Sequence, residues 1–199
     1  MGVLSLQGDF ACHRAALEPL GVEVARVTLP ADLAALDALV IPGGESTTML
    51  RLMHSNGLRA PLAAFARQRP VLGTCAGLIV LGTSADRLPH PPLGALDVTV
   101  ERNAYGRQLD SFEEVLEVPV LGGAFHGVFI RAPRIGRLGR GVEVIARRGR
   151  GPRGEVVGVR QRNVIGLTFH PELADDSRLH EWFVREVVTA PRRRNSEAA

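Results

Sequence analysis

The sequence predicts an α/β protein. The expected arrangement is three-layered: a mostly parallel central sheet flanked by helices, with a strand-rich C-terminal half. Three observations carry this expectation. In the first half, short apolar runs alternate with helical patterns, as in a doubly wound parallel sheet. In the second half, short strand-like segments follow one another through Gly- and Arg-rich turns. The 199 residues, 45% hydrophobic and 23% charged, suit one soluble domain with a sheet covered on both faces. Residues 1–190 are read as that domain. Residues 191–199, Pro-Arg-Arg-Arg-Asn-Ser-Glu-Ala-Ala, are read as a flexible tail.

Each element has a local reason. Gly2 to Leu6 reads as a first strand and lacks the basic-then-apolar layout of a signal peptide. Asp9 is a good cap for a helix that stops near Gly21. Val22 to Val27 and Ala38 to Ile41 are the next strands, the latter ended by Pro42-Gly43-Gly44. Ser46 is expected to cap an apolar pattern through Met49, Leu50, Leu52 and Met53, which ends at Asn56-Gly57. A helix covers Leu58 to Gln68. Pro70 to Gly73 is a buried strand that leads directly into Thr74-Cys75-Ala76-Gly77 and a helix to Gly82. Short strands follow at Asp97–Glu101, Glu113–Val118, Ala124–Ile130, Val142–Ala146, Val156–Val159 and Val164–Phe169, and a last helix at Ser177–Val188.

Composition excludes several functions. All 24 basic residues are arginine, so no lysine imine and no Walker A lysine exists on this chain. No apolar run approaches the roughly 20 residues that span a bilayer. Two cysteines, Cys12 and Cys75, are too few for a disulfide framework, and a cytoplasmic location is expected. From Arg131 to Arg162, ten arginines face only Glu143 and Glu155. No aromatic side chains interleave there for base stacking, so a solvated face is favoured over a nucleic-acid patch.

Three stretches carry chemistry. Gly73-Thr74-Cys75-Ala76-Gly77 sits between a buried strand and a helix. Small neighbours suit a nucleophile on a tight elbow, with the helix dipole favouring a thiolate and the Ala76 amide facing a developing oxyanion. A lone cysteine is more often buried and inert, and Cys12, mid-helix, is read that way. Thr168-Phe169-His170-Pro171-Glu172 supplies a base and its orienter. His170 and Glu172 alternate along an extended segment and can face one side. The other histidines, His13 and His126 among them, are read as structural or surface residues. Pro42-Gly43-Gly44-Glu45-Ser46 offers backbone amides beside the nucleophile. All three lie at carboxyl ends of strands, where open α/β sheets bind ligands, and together they are the parts for acyl transfer.

On these residues the chain resembles the triad-type, class I glutamine amidotransferases. Within them it is similar to the glutaminase subunits of pyridoxal 5'-phosphate synthases. The narrower likeness rests on Gly2-Val3-Leu4 with Leu6-Gln7-Gly8, Gly44-Glu45-Ser46-Thr47-Thr48, Val100-Glu101-Arg102-Asn103, Gly106-Arg107-Gln108, Asp110-Ser111-Phe112-Glu113 and Val128-Phe129-Ile130-Arg131-Ala132-Pro133. The resemblance implies that Cys75, His170 and Glu172 hydrolyse L-glutamine to glutamate and ammonia through a thioester. It implies an oxyanion site at Gly44 and Ala76, and a glutamine site of Gly44, Glu45, Ser46, Arg102, Ile130 and Arg131. No metal and no cofactor is implied. The implied partner is a separate synthase subunit that receives the ammonia in a hetero-oligomeric complex and switches the glutaminase on by docking; nucleic acid and membrane are not implied. A glutaminase for another synthase, or a non-catalytic binding domain on the same fold, are the alternatives.

Overall fold

The computed structural model describes residues 1–105 and 111–189. Gly106, Arg107, Gln108 and Asp110 of the motif blocks, and the tail from 191, lie outside the described residues. The strands are β1 (Gly2–Leu4), β2 (Ala25–Val27), β3 (Leu39–Ile41), β4 (Val71–Thr74), β5 (Ser84–Ala85), β6 (Val98–Glu101), β7 (Ser111–Val118), β8 (Gly123–Ile130), β9 (Arg134–Leu138), β10 (Glu143–Arg148), β11 (Glu155–Gln161) and β12 (Val164–Leu167). The α-helices are α1 (Phe10–Leu17), α2 (Ser46–Ser55), α3 (Arg59–Gln68), α4 (Ala76–Leu81) and α5 (Arg178–Trp182).

Among the described residues, nine strands form one sheet in the order β2-β1-β3-β4-β12-β11-β10-β7-β8. The first five are parallel to one another. From β12 outward every pairing is antiparallel. The sheet is therefore mixed, and its parallel half is the one that carries the crossover helices. Connection length explains the change. Each of the first strands is followed by a helical crossover, which parallel pairing requires, whereas β7–β8 and β11–β12 are joined by short turns that permit only antiparallel pairing. β5, β6 and β9 form a separate small sheet.

Alternation along the parallel strands feeds two cores. Leu4, Leu39, Ile41 and Val71 pack on one face with α2, α3 and α4. Val3, Val40, Leu72, Ile165 and Leu167 pack on the other with Leu17 of α1 and Leu179 of α5. This is the expected three-layer arrangement, produced by side chains that point to opposite faces every second residue.

Several local expectations change. β2 is shorter than Val22–Val27. β9 was not expected: Arg134–Leu138 is arginine-rich and buries Ile135 alone of its side chains. The last helix is α-helical only to Trp182 and continues as a π-helix over Phe183–Thr189. Asp9 precedes α1 but makes no capping bond with its side chain. Glu45, not Ser46, caps α2: its carboxylate accepts from Thr47 N–H at 2.9 Å and Thr48 N–H at 2.6 Å. A carboxylate satisfies two of the unpaired first-turn amides and complements the helix dipole, which one hydroxyl does less well.

Among the described residues, three of the ten arginines in the arginine-rich stretch are tied into ion pairs with carboxylates from other segments. Arg148 meets Glu114 and Glu155, Arg134 meets Glu155, and Arg137 meets Asp97 at 2.7 Å. Arg134 and Arg148 also lie over the Tyr105 ring.

Candidate active site

The site is assembled where the parallel strands end. Cys75 follows β4 and immediately precedes α4, with φ 47° and ψ −102°. That backbone is costly for a residue bearing a Cβ, and such strain is characteristic of a nucleophile on a turn. The flanking glycines are sterically required. A Cβ on Gly77 would run into the Ile41 carbonyl, and one on Gly73 would strike Gly77. The Cys75 N–H donates to Leu167 O at 2.8 Å, which ties the elbow to β12.

His170 follows β12, and its N–H donates to Val128 O at 2.8 Å. Glu172 does not continue an extended segment, as the sequence led us to expect. Pro171–Leu173 is a 3-10 turn, and this turn folds the carboxylate back onto the imidazole. His170 Nδ1 lies 2.7 Å from Glu172 Oε1, with both side chains buried. Because Oε1 can only accept, the shared proton is assigned to Nδ1, which leaves Nε2 for the thiol side.

Electrostatics sharpen this row of groups. Burial pushes the His170 imidazole down, but hydrogen bonds with Cys75 and Glu172 and the charge of Glu172 outweigh it and raise the value to about 10. His170 therefore favours its protonated form at neutral pH. Burial also pushes the Glu172 carboxyl up, and the imidazoles of His13 and His170 that face it bring it below its ordinary value. The Cys75 thiol is buried, and its Sγ approaches Ile130 O at 3.8 Å.

A cavity of about 260 Å³ opens onto this row. It is lined by Gly44, Glu45, Ser46, Cys75, Arg102, Ile130, Arg131 and His170, so all six residues expected around the substrate meet there. Of the two residues expected to serve the oxyanion, Gly44 lines the cavity, while Ala76 is buried beneath it as the first residue of α4. Glu172 sits behind His170, away from the cavity wall. The Arg102 guanidinium is held in place rather than free. It donates to Thr47 Oγ1 at 3.1 Å and to the carbonyls of Asp86 and Arg87, and lies 3.5 Å from Glu45. Burial would raise the Glu45 carboxyl, but hydrogen bonds from Thr48 and Thr47 lower it to about 2.

Sequence reasoning missed Asp9, Ile79 and Asn103, which also line the cavity. Asn103 stood within a quoted motif block but had been given no role. It has φ 51°, and Arg131 has φ 42°, so with Cys75 three left-handed non-glycine residues meet at one cavity. Asp9 had been read as a helix cap. Gln7 was missed as well: its side-chain carbonyl accepts the Glu45 N–H at 2.6 Å and braces the glycine loop. The Asp9, His170 and Glu172 donor atoms all lie within 4.8 Å of one another, yet His170 and Glu172 are already joined to each other there. Cys12 lies half-buried mid-way along α1, and burial together with the charges of Asp9 and Glu172 pushes its thiol up. Among the described residues, no helix is long and apolar enough to cross a membrane.

Comparison with known proteins identifies the family and the fold. A protein of Cutibacterium acnes called pyridoxal 5'-phosphate synthase subunit PdxT is 50% identical over 193 residues, covering 94% of this chain and 96% of that one. The protein of the same name from Thermus thermophilus is 51% identical over 187 residues, covering 92% and 95%. A crystal structure of a glutamine amidotransferase superposes with a TM-score of 0.85 at 48% identity, over 92% of this chain and 96% of that one. The PurLQS structure from Thermotoga maritima, at 18% identity and a TM-score of 0.68, shares the fold. The model of the SNO glutamine amidotransferase family matches residues 3–189, nearly the whole described chain, and the chain belongs to that family.

Proposed function

We propose that this chain is the glutaminase subunit of a pyridoxal 5'-phosphate synthase. It hydrolyses L-glutamine to L-glutamate and delivers the ammonia to a separate synthase subunit. The observation that carries the reading is that Cys75 and His170, the latter backed by Glu172, face a cavity lined by every residue expected to hold glutamine. Relatives that carry the pyridoxal 5'-phosphate synthase name align over nearly their full length, which supports the identity of the partner.

The chemistry runs in two halves. Cys75 Sγ attacks the side-chain amide carbon of glutamine, and its proton lies on His170. The tetrahedral oxyanion is met by backbone N–H groups near Gly44 and at Ala76, where the first-turn amides of a helix lack intrahelical acceptors. His170 then gives its proton to the amide nitrogen. The C–N bond breaks, ammonia leaves, and a glutamyl thioester remains. A water molecule, deprotonated by His170, attacks the thioester, the C–S bond breaks and glutamate departs. Glu172 stabilises the imidazolium throughout and stays ionised. The route draws on no metal and no cofactor, and neither nucleic acid nor a membrane takes part. The two unpaired cysteines accord with a cytoplasmic enzyme.

Arg102 receives the glutamine α-carboxylate, with Glu45 and Thr47 holding the guanidinium in place. Arg102→Ala is expected to raise KM for glutamine about 10–100-fold with a much smaller change in kcat, since it removes a charge-assisted contact made equally in ground and transition states. Steady-state kinetics check this. A loss confined to kcat would remove Arg102 from the substrate site.

The reading as a whole is tested by measuring glutamine hydrolysis and pyridoxal 5'-phosphate formation in one tube, with and without the synthase subunit. Hydrolysis is expected to rise on its addition, and the cofactor to form from glutamine as nitrogen donor. Absence of hydrolysis in the complex would overturn the proposal.

A further inference from the structure

Behind the Cys75–His170–Glu172 row lie two more imidazoles that the reaction scheme does not use. His13 on α1 and His180 on α5 are both fully buried. His13 Nε2 lies 3.2 Å from Thr74 Oγ1 and 3.4 Å from Glu172 Oε2. His13 Nδ1 lies 3.3 Å from His180 Nε2. Glu172 Oε2, the oxygen not used by His170, has no aligned hydrogen-bond partner among the described residues, and neither has His180 Nδ1. The His13 Nε2 approach is close but off-axis, at 3.4 Å, and the Glu172 backbone N–H is a further polar group beside this carboxylate.

One assignment of protons fits these contacts. His180 Nε2–H donates to His13 Nδ1, and His13 Nε2–H is directed between Thr74 Oγ1 and Glu172 Oε2. His180 Nδ1 is then a bare lone pair, which is less costly to leave unpaired than an N–H. Burial pushes both imidazoles down, His180 to about 4, with the neighbouring imidazole adding to the effect and Glu172 opposing it. The ionisable groups facing His13 are Glu172, His170, Asp9 and His180. A neutral N–H donor at this place holds the carboxylate without a positive charge to compete with His170 for it. An apolar side chain there would leave a buried anionic oxygen facing hydrocarbon.

We propose that His13, backed by His180, is a positioning residue for the reaction: it fixes the free oxygen of Glu172, and through it the orientation of His170 toward Cys75. This rests on the glutaminase reading above. In the complex with the synthase subunit, His13→Leu is expected to lower kcat about 10-fold, the scale of an outer-shell orienting contact. KM for glutamine should stay within about twofold, because His13 does not line the cavity. His13→Gln, whose amide N–H can reach the Nε2 position, should recover most of the rate.

A second readout needs neither glutamine turnover nor the partner. Alkylation of Cys75 by iodoacetamide in the isolated chain should slow at neutral pH in His13→Leu, with its rise moved to higher pH, and return in His13→Gln. A third uses the unmodified protein should His13→Leu not fold: ¹⁵N NMR of the imidazoles should show His13 and His180 as neutral Nε2–H tautomers from about pH 5 to 8. A folded His13→Leu with unchanged kcat and alkylation profile, a His13→Gln as impaired as His13→Leu, or a His13 that is protonated or in the Nδ1–H form would each overturn the inference. Loss of glutaminase activity in the unmodified complex would instead overturn the function.

Discussion

Cys75→Ala is expected to reduce glutamine hydrolysis by at least about 10⁴-fold, because it removes the atom that forms the thioester and leaves only binding and the oxyanion amides. The fold should persist. The side chain is buried, and the polar contact of its Sγ with the Ile130 carbonyl is long, at 3.8 Å. Glutamine should still bind, since Arg102, Glu45 and Ser46 are untouched. A comparison with Cys75→Gly adds a structural check. At φ 47° and ψ −102° any Cβ is strained by about 1–3 kcal/mol, and alanine keeps that strain whereas glycine releases it. Glycine loses about 0.5–1 kcal/mol through the freedom of its unfolded chain. Cys75→Gly should therefore be at least as stable as Cys75→Ala in denaturant titration, and equally inactive. Residual hydrolysis near the wild-type rate in Cys75→Ala would exclude the thioester route.

Glu172→Gln should lower kcat by about 10³–10⁴-fold while leaving KM for glutamine nearly unchanged, because residue 172 orients the base and does not line the cavity. The amide can present its oxygen to His170 Nδ1–H, keeping the tautomer but losing the charge. It can also present its NH₂ group, which makes Nδ1 an acceptor and moves the imidazole proton to the wrong nitrogen. Either outcome removes a group that raises His170 to about 10 against the effect of burial. With that support gone, only the contact with Cys75 opposes burial, so His170 moves down and holds its proton less firmly at neutral pH. The alkylation of Cys75 should then slow at pH 7 and recover only at higher pH. A variant with an unshifted profile would show that Glu172 does not set the basicity of His170.

Much of this was legible in the sequence because it is local. The turn Gly73-Thr74-Cys75-Ala76-Gly77 announces an elbow, since two glycines at that spacing leave room for close packing against Ile41 and α4. Strand-helix alternation announced the parallel half, since parallel neighbours need long crossovers. His170 and Glu172, two residues apart, announced a base and its orienter, although the geometry that joins them is a 3-10 turn and not a strand. The six residues that the resemblance places around the substrate line one cavity.

The sequence by itself determined the nucleophile's turn, the composition of the site and the absence of lysine chemistry, all properties of single residues or short segments. Only the tertiary structure decided that the Glu45 carboxylate also lies against Arg102, that the sheet turns antiparallel beyond β12, and that left-handed Asn103 and Arg131 border the same cavity as Cys75. It alone brought His13 against His180 across 167 residues of chain, and both into the buried space behind Glu172. The reason is physical: a capping motif or an elbow is set by backbone geometry within a few residues. The partner of a buried charge, in contrast, is set by whichever helices the two sheet faces gather around it.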